Sequence, residues 1–340
     1  MSLSYVIKNV KIYLLIKKRG TVMDIFYSTL THMLVMFCFM IIGYLANRFS
    51  LLPENSATVL SKLENYVLVP ALVFDTFMNN CQHGALKSNF SLILYCILLL
   101  GISLIISIPL AKHFAHEKEG VVYDELYQRR IYEYALTFGN FSFMGNAVVL
   151  GILGDKGLFG YLLFTLPLNI MVYTWGVIIL IPKGKGSKNP IKNLLNPIVI
   201  SLFFGIIAGL LNIKSILPDF VTITISSAKN CMGPVAMMLT GFVIGGYKLK
   251  TLLTKKRIYL AAALRLIAIP SVMLIIIELL GASKEIMTLA LFAYATPLGL
   301  NTIVFPAAYG GDTRTGASMA MISHILCVIT IPLMYLAFIA

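Results

Sequence analysis

Thr137-Phe-Gly-Asn-Phe-Ser-Phe-Met-Gly-Asn146 and Thr296-Pro-Leu-Gly-Leu-Asn-Thr-Ile-Val-Phe-Pro306 each interrupt an apolar stretch near its middle. Both are rich in Gly, Asn and hydroxyls, and each soon reaches a Gly-Asp turn, Gly154-Asp155 and Gly311-Asp312. A helix broken at membrane depth exposes backbone N–H and C=O groups that lipid cannot satisfy. Such a break must line a protein cavity or bind something. Two breaks, one in each half of a chain, point to the substrate site of a secondary transporter.

Composition agrees. Hydrophobic residues make up 59% of the chain and charged residues 12%, too few charges to solvate a soluble surface of this size. Apolar runs of about 20 residues, each long enough to cross about 30 Å of hydrocarbon, recur along the whole length. The pattern predicts an all-α polytopic membrane protein with spans near 25–46, 57–79, 89–111, 132–153, 158–181, 194–212, 219–246, 257–280, 285–309 and 315–339. The connections are short.

The net charge of +13 lies mainly in loops and does not imply nucleic-acid binding. Numbered alternately, the loops of one side carry Arg48, Lys62, Lys112, Lys118, Arg129, Arg130, a cluster over 183–192, Lys248, Lys250, Lys255, Lys256, Arg257 and Arg314. Apart from the N-terminal tail, the other side carries only Lys87, Lys156, Lys214 and Lys284. The positive-inside rule makes the first side cytoplasmic. An even helix count then puts both termini outside a multi-pass protein of the cell membrane.

The basic tail, residues 1–22, conflicts with that placement, because Lys8, Lys11, Lys17, Lys18 and Arg19 would have to cross. Its apolar run is too short for a signal-peptide core. A translation start at Met23 removes the conflict; a short basic tail that crosses is the alternative. Cys38, Cys81, Cys96, Cys231 and Cys327 have no metal-binding spacing, and no disulfide is predicted.

The two halves share a plan. A central proline lies in the second helix of each, Pro70 and Pro234, and an asparagine break in the fourth, Asn140 and Asn301. Pro70 precedes Asn140 by 70 residues and Pro234 precedes Asn301 by 67. A five-helix unit repeated after an odd number of crossings is inverted in the membrane, as in inverted-repeat transporters. The domains are thus a tail (1–22), a first repeat (23–181), a polar Gly/Pro-rich cytoplasmic linker (182–193) and a second repeat (194–340).

Four stretches carry a resemblance to a known family: residues 60–74, 139–145, 233–245 and, most specifically, 296–312. They resemble the auxin efflux carrier family, which includes plant PIN proteins and bacterial malate or malonate permeases. The resemblance implies ten helices in two inverted five-helix repeats, similar to the sodium/proton-antiporter and bile-acid-transporter folds. It implies a scaffold of the first, second, sixth and seventh helices, often dimeric, so a homodimer is expected. It also implies a mobile bundle of the remaining helices, with the broken fourth and ninth crossing at the substrate. Where the family often has a proline after the first break, this chain has Asn146-Ala147.

The residues suit an anion. Each break leaves a half-helix N-terminus with unpaired N–H groups and about half a positive charge. A carboxylate there would gain charge-assisted hydrogen bonds from the Asn140 and Asn301 amides. Ser142, Asn146 and Thr302 complete the shell or cap the freed backbone. Gly139, Gly145, Pro297, Gly299, Pro306, Pro70 and Pro234 form the crossover and its hinges. In the alternative, the asparagines and hydroxyls satisfy only the broken backbone.

Asp75 lies five residues after Pro70 and Lys229 five before Pro234. On oppositely directed helices both sit about 7.5 Å to the outer side of their prolines. Intramembrane charges are usually paired or functional, so an Asp75–Lys229 pair is expected, serving as a coupling switch or as a structural bond. Arg265 falls within partial snorkelling reach of the cytoplasm, and Glu278 near a solvated end. His32 and His324 read as packing residues.

No phosphate-binding loop, metal cluster or Ser-His-Asp grouping appears, so an enzyme is not expected, and no cofactor is called for. The leading function is a secondary carrier of small organic anions, with H+ or Na+ as the coupling ion and the lipid bilayer as solvent. A passive anion channel or uncoupled facilitator is the alternative.

Overall fold

The computed structural model describes residues 3–114, 125–182, 196–308, 311 and 313–339. The predicted linker lies outside these residues apart from Pro182, as does Asp312 of the second Gly-Asp turn. The described residues are helical with no named strand. The helices are α1 (Leu3–Arg48), α2 (Ser56–Asn80), α3 (Phe90–Lys112), α4 (Glu125–Thr137), α5 (Phe141–Phe164), α6 (Leu166–Leu180), α7 (Pro197–Leu210), α8 (Asp219–Gly245), α9 (Lys256–Leu279), α10 (Lys284–Tyr294), α11 (Asn301–Ala308) and α12 (Arg314–Phe338). Among the described residues six stretches are long and apolar enough to cross a membrane: Phe26–Arg48, α2, α3, α5, α9 and α12.

The two predicted breaks are present. The span expected at 132–153 is divided between α4 and the start of α5, and that expected at 285–309 between α10 and α11. At 13 and 11 residues, α4 and α10 span only about two-thirds and about half of a bilayer's hydrocarbon core at 1.5 Å per residue. Within α5 the backbone leaves helical geometry at Gly154, with φ of 65° and ψ of −166°. That left-handed position suits glycine and lies at the predicted Gly154-Asp155 turn.

Prolines shape the long helices. Pro70 follows the wide π-turn Glu64–Leu68 of α2, and Pro270 follows the π-turn Leu264–Ala268 of α9. Proline lacks an N–H and its ring crowds the carbonyl four residues back. The wider turn gives that carbonyl room. Pro234 lies inside α8.

Two helix pairs pack through glycine. Gly43 of α1 lies against the Met238 backbone of α8, and Gly241 of α8 against the Met40 backbone of α1. Gly205 and Gly209 of α7 abut Phe74 and Phe77 of α2 and Cys81 just past its end. Without hydrophobic drive inside lipid, such close backbone approach is the main source of helix adhesion. The larger core gathers buried residues of α1–α6, α8–α10 and α12 around Phe138, Tyr161, Phe292 and Tyr294.

Candidate substrate site

The chain connecting α4 to α5 meets the chain connecting α10 to α11. Gly139 and Leu298 form an antiparallel bridge, and the Asn140 N–H donates to the Pro297 carbonyl at 2.7 Å. Gly299 belongs to this contact, since a Cβ there would sit 3.3 Å from the Gly139 carbonyl oxygen. Gly139 is hemmed in by Thr296 and Arg265, and Gly145 by the Tyr161 hydroxyl. The two interruptions therefore share one crossing.

Each asparagine is held by a partner far along the chain. Asn140, 3% exposed, lies 3.2 Å through Nδ2 from His324 Nε2. His324 Nδ1 lies 2.6 Å from the Ala320 carbonyl. A carbonyl only accepts, so the Nδ1–H donates there and Nε2 is left to accept from Asn140. Asn301 Nδ2 donates to the Tyr134 hydroxyl at 2.8 Å. The Leu298 N–H donates to Ser323 Oγ at 3.0 Å. Thr302 is buried and donates to the Gly299 carbonyl at 2.9 Å, a backbone-capping role. Ser142 is half-buried. Asn146 is buried, and its Oδ1 has no hydrogen-bond partner. Pro306 lies within α11 and accepts from the Gly311 N–H.

Arg265 does not snorkel. It is 1% exposed, and its Nη1 donates to the Leu136 and Thr137 carbonyls, each at 3.3 Å. Nη2 lies 3.5 Å from the Ala293 carbonyl, and the guanidinium stands 5.8 Å from the Tyr294 ring centroid. These carbonyls end α4 and α10, where helix dipoles place negative partial charge. One cation thus serves both C-terminal ends. The N-terminal ends of α5 and α11 face no acidic residue from either interruption, because 137–146 and 296–306 contain none.

A cavity of about 780 Å³ reaches the crossing. Asn65, Tyr66, Phe143, Tyr173, Phe242 and Asn301 line it, with Glu54 and Lys62 at its rim. Both rim residues are exposed, so the cavity meets solvent on the side of the basic loops. Of the five predicted substrate residues only Asn301 borders it.

The predicted pair at the opposite side is present and larger than expected. Lys229 Nζ bonds Asp75 at 2.8 Å and also bonds Asp155. Lys229 and Asp75 are buried, whereas the Asp155 side chain is 57% exposed. Asp155 immediately follows the Gly154 turn, so the third member of the cluster comes from the end of the interrupted segment.

A family model described as "Membrane transport protein" matches residues 28–335. The chain belongs to this family of membrane transport proteins, which is auxin efflux carrier-like. The transporter is also similar to an uncharacterized transporter of Methanocaldococcus jannaschii, 25% identical over 306 residues, covering 88% of this chain and 96% of the relative. The family is one of transporters rather than enzymes. As a multi-pass membrane protein, the transporter has the lipid bilayer as its solvent.

The sequence marks Asn140 and Asn301 but not their anchors, His324 and Tyr134. Tyr134 lies in an ordinary amphipathic turn, and His324 reads as packing. Asp155 was visible only as part of a turn.

Proposed function

We propose that this protein is a secondary carrier of small organic anions that works by alternating access. Its substrate carboxylate is held where the two interrupted helices cross. The observation that carries the reading is the Asn140 N–H to Pro297 contact, beside a cavity that ends at Asn301. Arg265 cancels the negative helix ends, which leaves the positive ends of α5 and α11 to an anion. Asn301 presents its amide from the cavity wall, and Asn140, Ser142, Asn146 and Thr302 stand behind it as the shell that closes on the substrate.

In this reading ten spans form two inverted five-helix repeats. The glycine-packed helices α1, α2, α7 and α8 are the scaffold, and the rest form the moving bundle. The basic loops are cytoplasmic and both termini lie outside the cell membrane, so the cavity is inward-facing. Lys229, with Asp75 and Asp155, closes the outer side. Coupling to a proton or sodium gradient and a homodimeric assembly complete the proposal. A thermal-shift screen of purified protein against a panel of carboxylates, malate and malonate included, tests it. Stabilisation by a carboxylate that Asn301→Ala abolishes is expected. A response unchanged in Asn301→Ala removes the substrate from the crossing.

A further inference from the structure

Glu64 opens the π-turn of α2 and is 0% exposed. Neither carboxyl oxygen has a hydrogen-bond partner among the described residues. The turn packs against α7 and α8. No side chain of α7 titrates. On α8 the titratable residues are Asp219, Lys229 and Cys231, and Lys229 is held by Asp75 and Asp155. On α2 itself, Lys62 and Tyr66 are exposed, and Asp75 is committed to Lys229. Among the described residues, therefore, no counter-ion is bonded to Glu64.

An ionised carboxylate with neither a donor nor a counter-ion is among the costliest groups to place inside a membrane protein. The carboxyl needs a cation. No cluster of three or more His, Cys, Asp or Glu side chains among the described residues could hold a metal ion. We propose that Glu64 is a proton-binding site in the wall beside the cavity, loaded in the conformation seen here. Its neighbours Ser61 and Asn65 line the cavity, so water reaches the next positions of the same helix. Release converts the carboxylic acid to a carboxylate and hands the proton to that water. Extending this to coupled transport rests on the carrier reading above; the proton site itself does not.

Infrared spectroscopy of the purified full chain tests the assignment without any substrate. At neutral pH the wild type is expected to show the carbonyl stretch of a neutral carboxylic acid, shifted in D2O. Glu64→Gln is expected to lose that band, and Asp75→Asn to keep it. Should Glu64→Gln not fold, wild-type protein carrying ¹³C-glutamate decides the matter, because the band must then shift. The other described glutamates are exposed, or in the case of Glu133 paired with Arg129 at 2.8 Å. An acid band that ignores the glutamate label overturns the proposal, as does its absence. Carboxylate bands at Glu64 that respond to sodium overturn it as well, by making the occupant a metal ion. Lack of carboxylate transport would count against the carrier reading and leave the infrared result standing.

Discussion

Arg265 donates to the Thr137 carbonyl oxygen at 3.3 Å, across 128 residues of sequence. Through this bond and its contacts with Leu136 and Ala293, one guanidinium ties together the C-terminal ends of two half-helices. A broken helix in lipid is tolerable only where its freed carbonyls find donors. Here a planar fork reaches three of them, and the Ser103 and Thr296 hydroxyls donate as well to the Thr137 and Ala293 carbonyls.

Replacing Arg265 by Met should therefore be among the most destabilising single changes in the molecule. The Leu136, Thr137 and Ala293 carbonyls would lose a charged donor, and hydrogen bonds to charged groups contribute about 1.5–3 kcal/mol each in favourable cases. A total loss of about 2–4 kcal/mol is expected. Arg265→Lys, with one ammonium instead of a fork, should fall between. Thermal unfolding in detergent measures both.

Tyr134→Phe removes the hydroxyl that accepts from Asn301 Nδ2. The stability cost should be modest, about 1 kcal/mol, because the amide sits beside the cavity and water can replace the phenol. The larger effect falls on positioning. Protection of the protein by a carboxylate should weaken severalfold while the fold persists, which a titration of melting temperature against ligand concentration reads directly.

The Lys229 cluster separates a buried partner from an exposed one. Lys229→Met leaves the buried Asp75 carboxylate alone, a change that costs about 3–5 kcal/mol for pairs broken in this way. Asp155→Asn removes a carboxylate that is 57% exposed, and the loss should stay within about 1 kcal/mol. Asp75→Asn also tests coupling. If transport keeps its pH dependence in that variant, the Asp75–Lys229 pair is structural only.

Two glycines should respond to alanine for different reasons. At Gly154 nothing lies within 4 Å of an added Cβ, but φ is +65°. The cost is conformational strain alone, about 1–3 kcal/mol, since φ of 65° with ψ of −166° is essentially a glycine-only region. At Gly241 the added methyl would enter the Met40 backbone of α1, where no rotamer change can relieve it. Gly241→Ala should cost more than Gly154→Ala and should loosen the α1–α8 pair. Crosslinking of cysteines introduced on the two helices would detect that separation.

The frame of this molecule was legible because membranes impose simple signals. Apolar length located five of the six long apolar stretches among the described residues, while the sixth, α5, straddles two expected spans; polar interruptions located both breaks. Asp75 and Lys229 stood out as charges in apolar sequence and proved to be partners. What stayed hidden was pairing at long range. Asn140–His324 and Asn301–Tyr134 join residues 184 and 167 positions apart, and no periodicity encodes such a match. Arg265 was conspicuous as a charge, but its partners are backbone carbonyls, which look alike in every sequence. The π-turn at Glu64 was equally invisible, since one extra residue in a turn leaves composition unchanged.

The glycine contacts between α1 and α8 set a limit on how this protein can change shape. Helices that touch through backbone are interlocked like gear teeth. Sliding one turn, about 5.4 Å, would drive Met40 or Met238 side chains into spaces that admit only hydrogen. Motion is thereby steered away from this seam and toward surfaces padded by long, flexible side chains. A lesion at Gly43 or Gly241 would pry this seam apart even with every residue of the crossing intact.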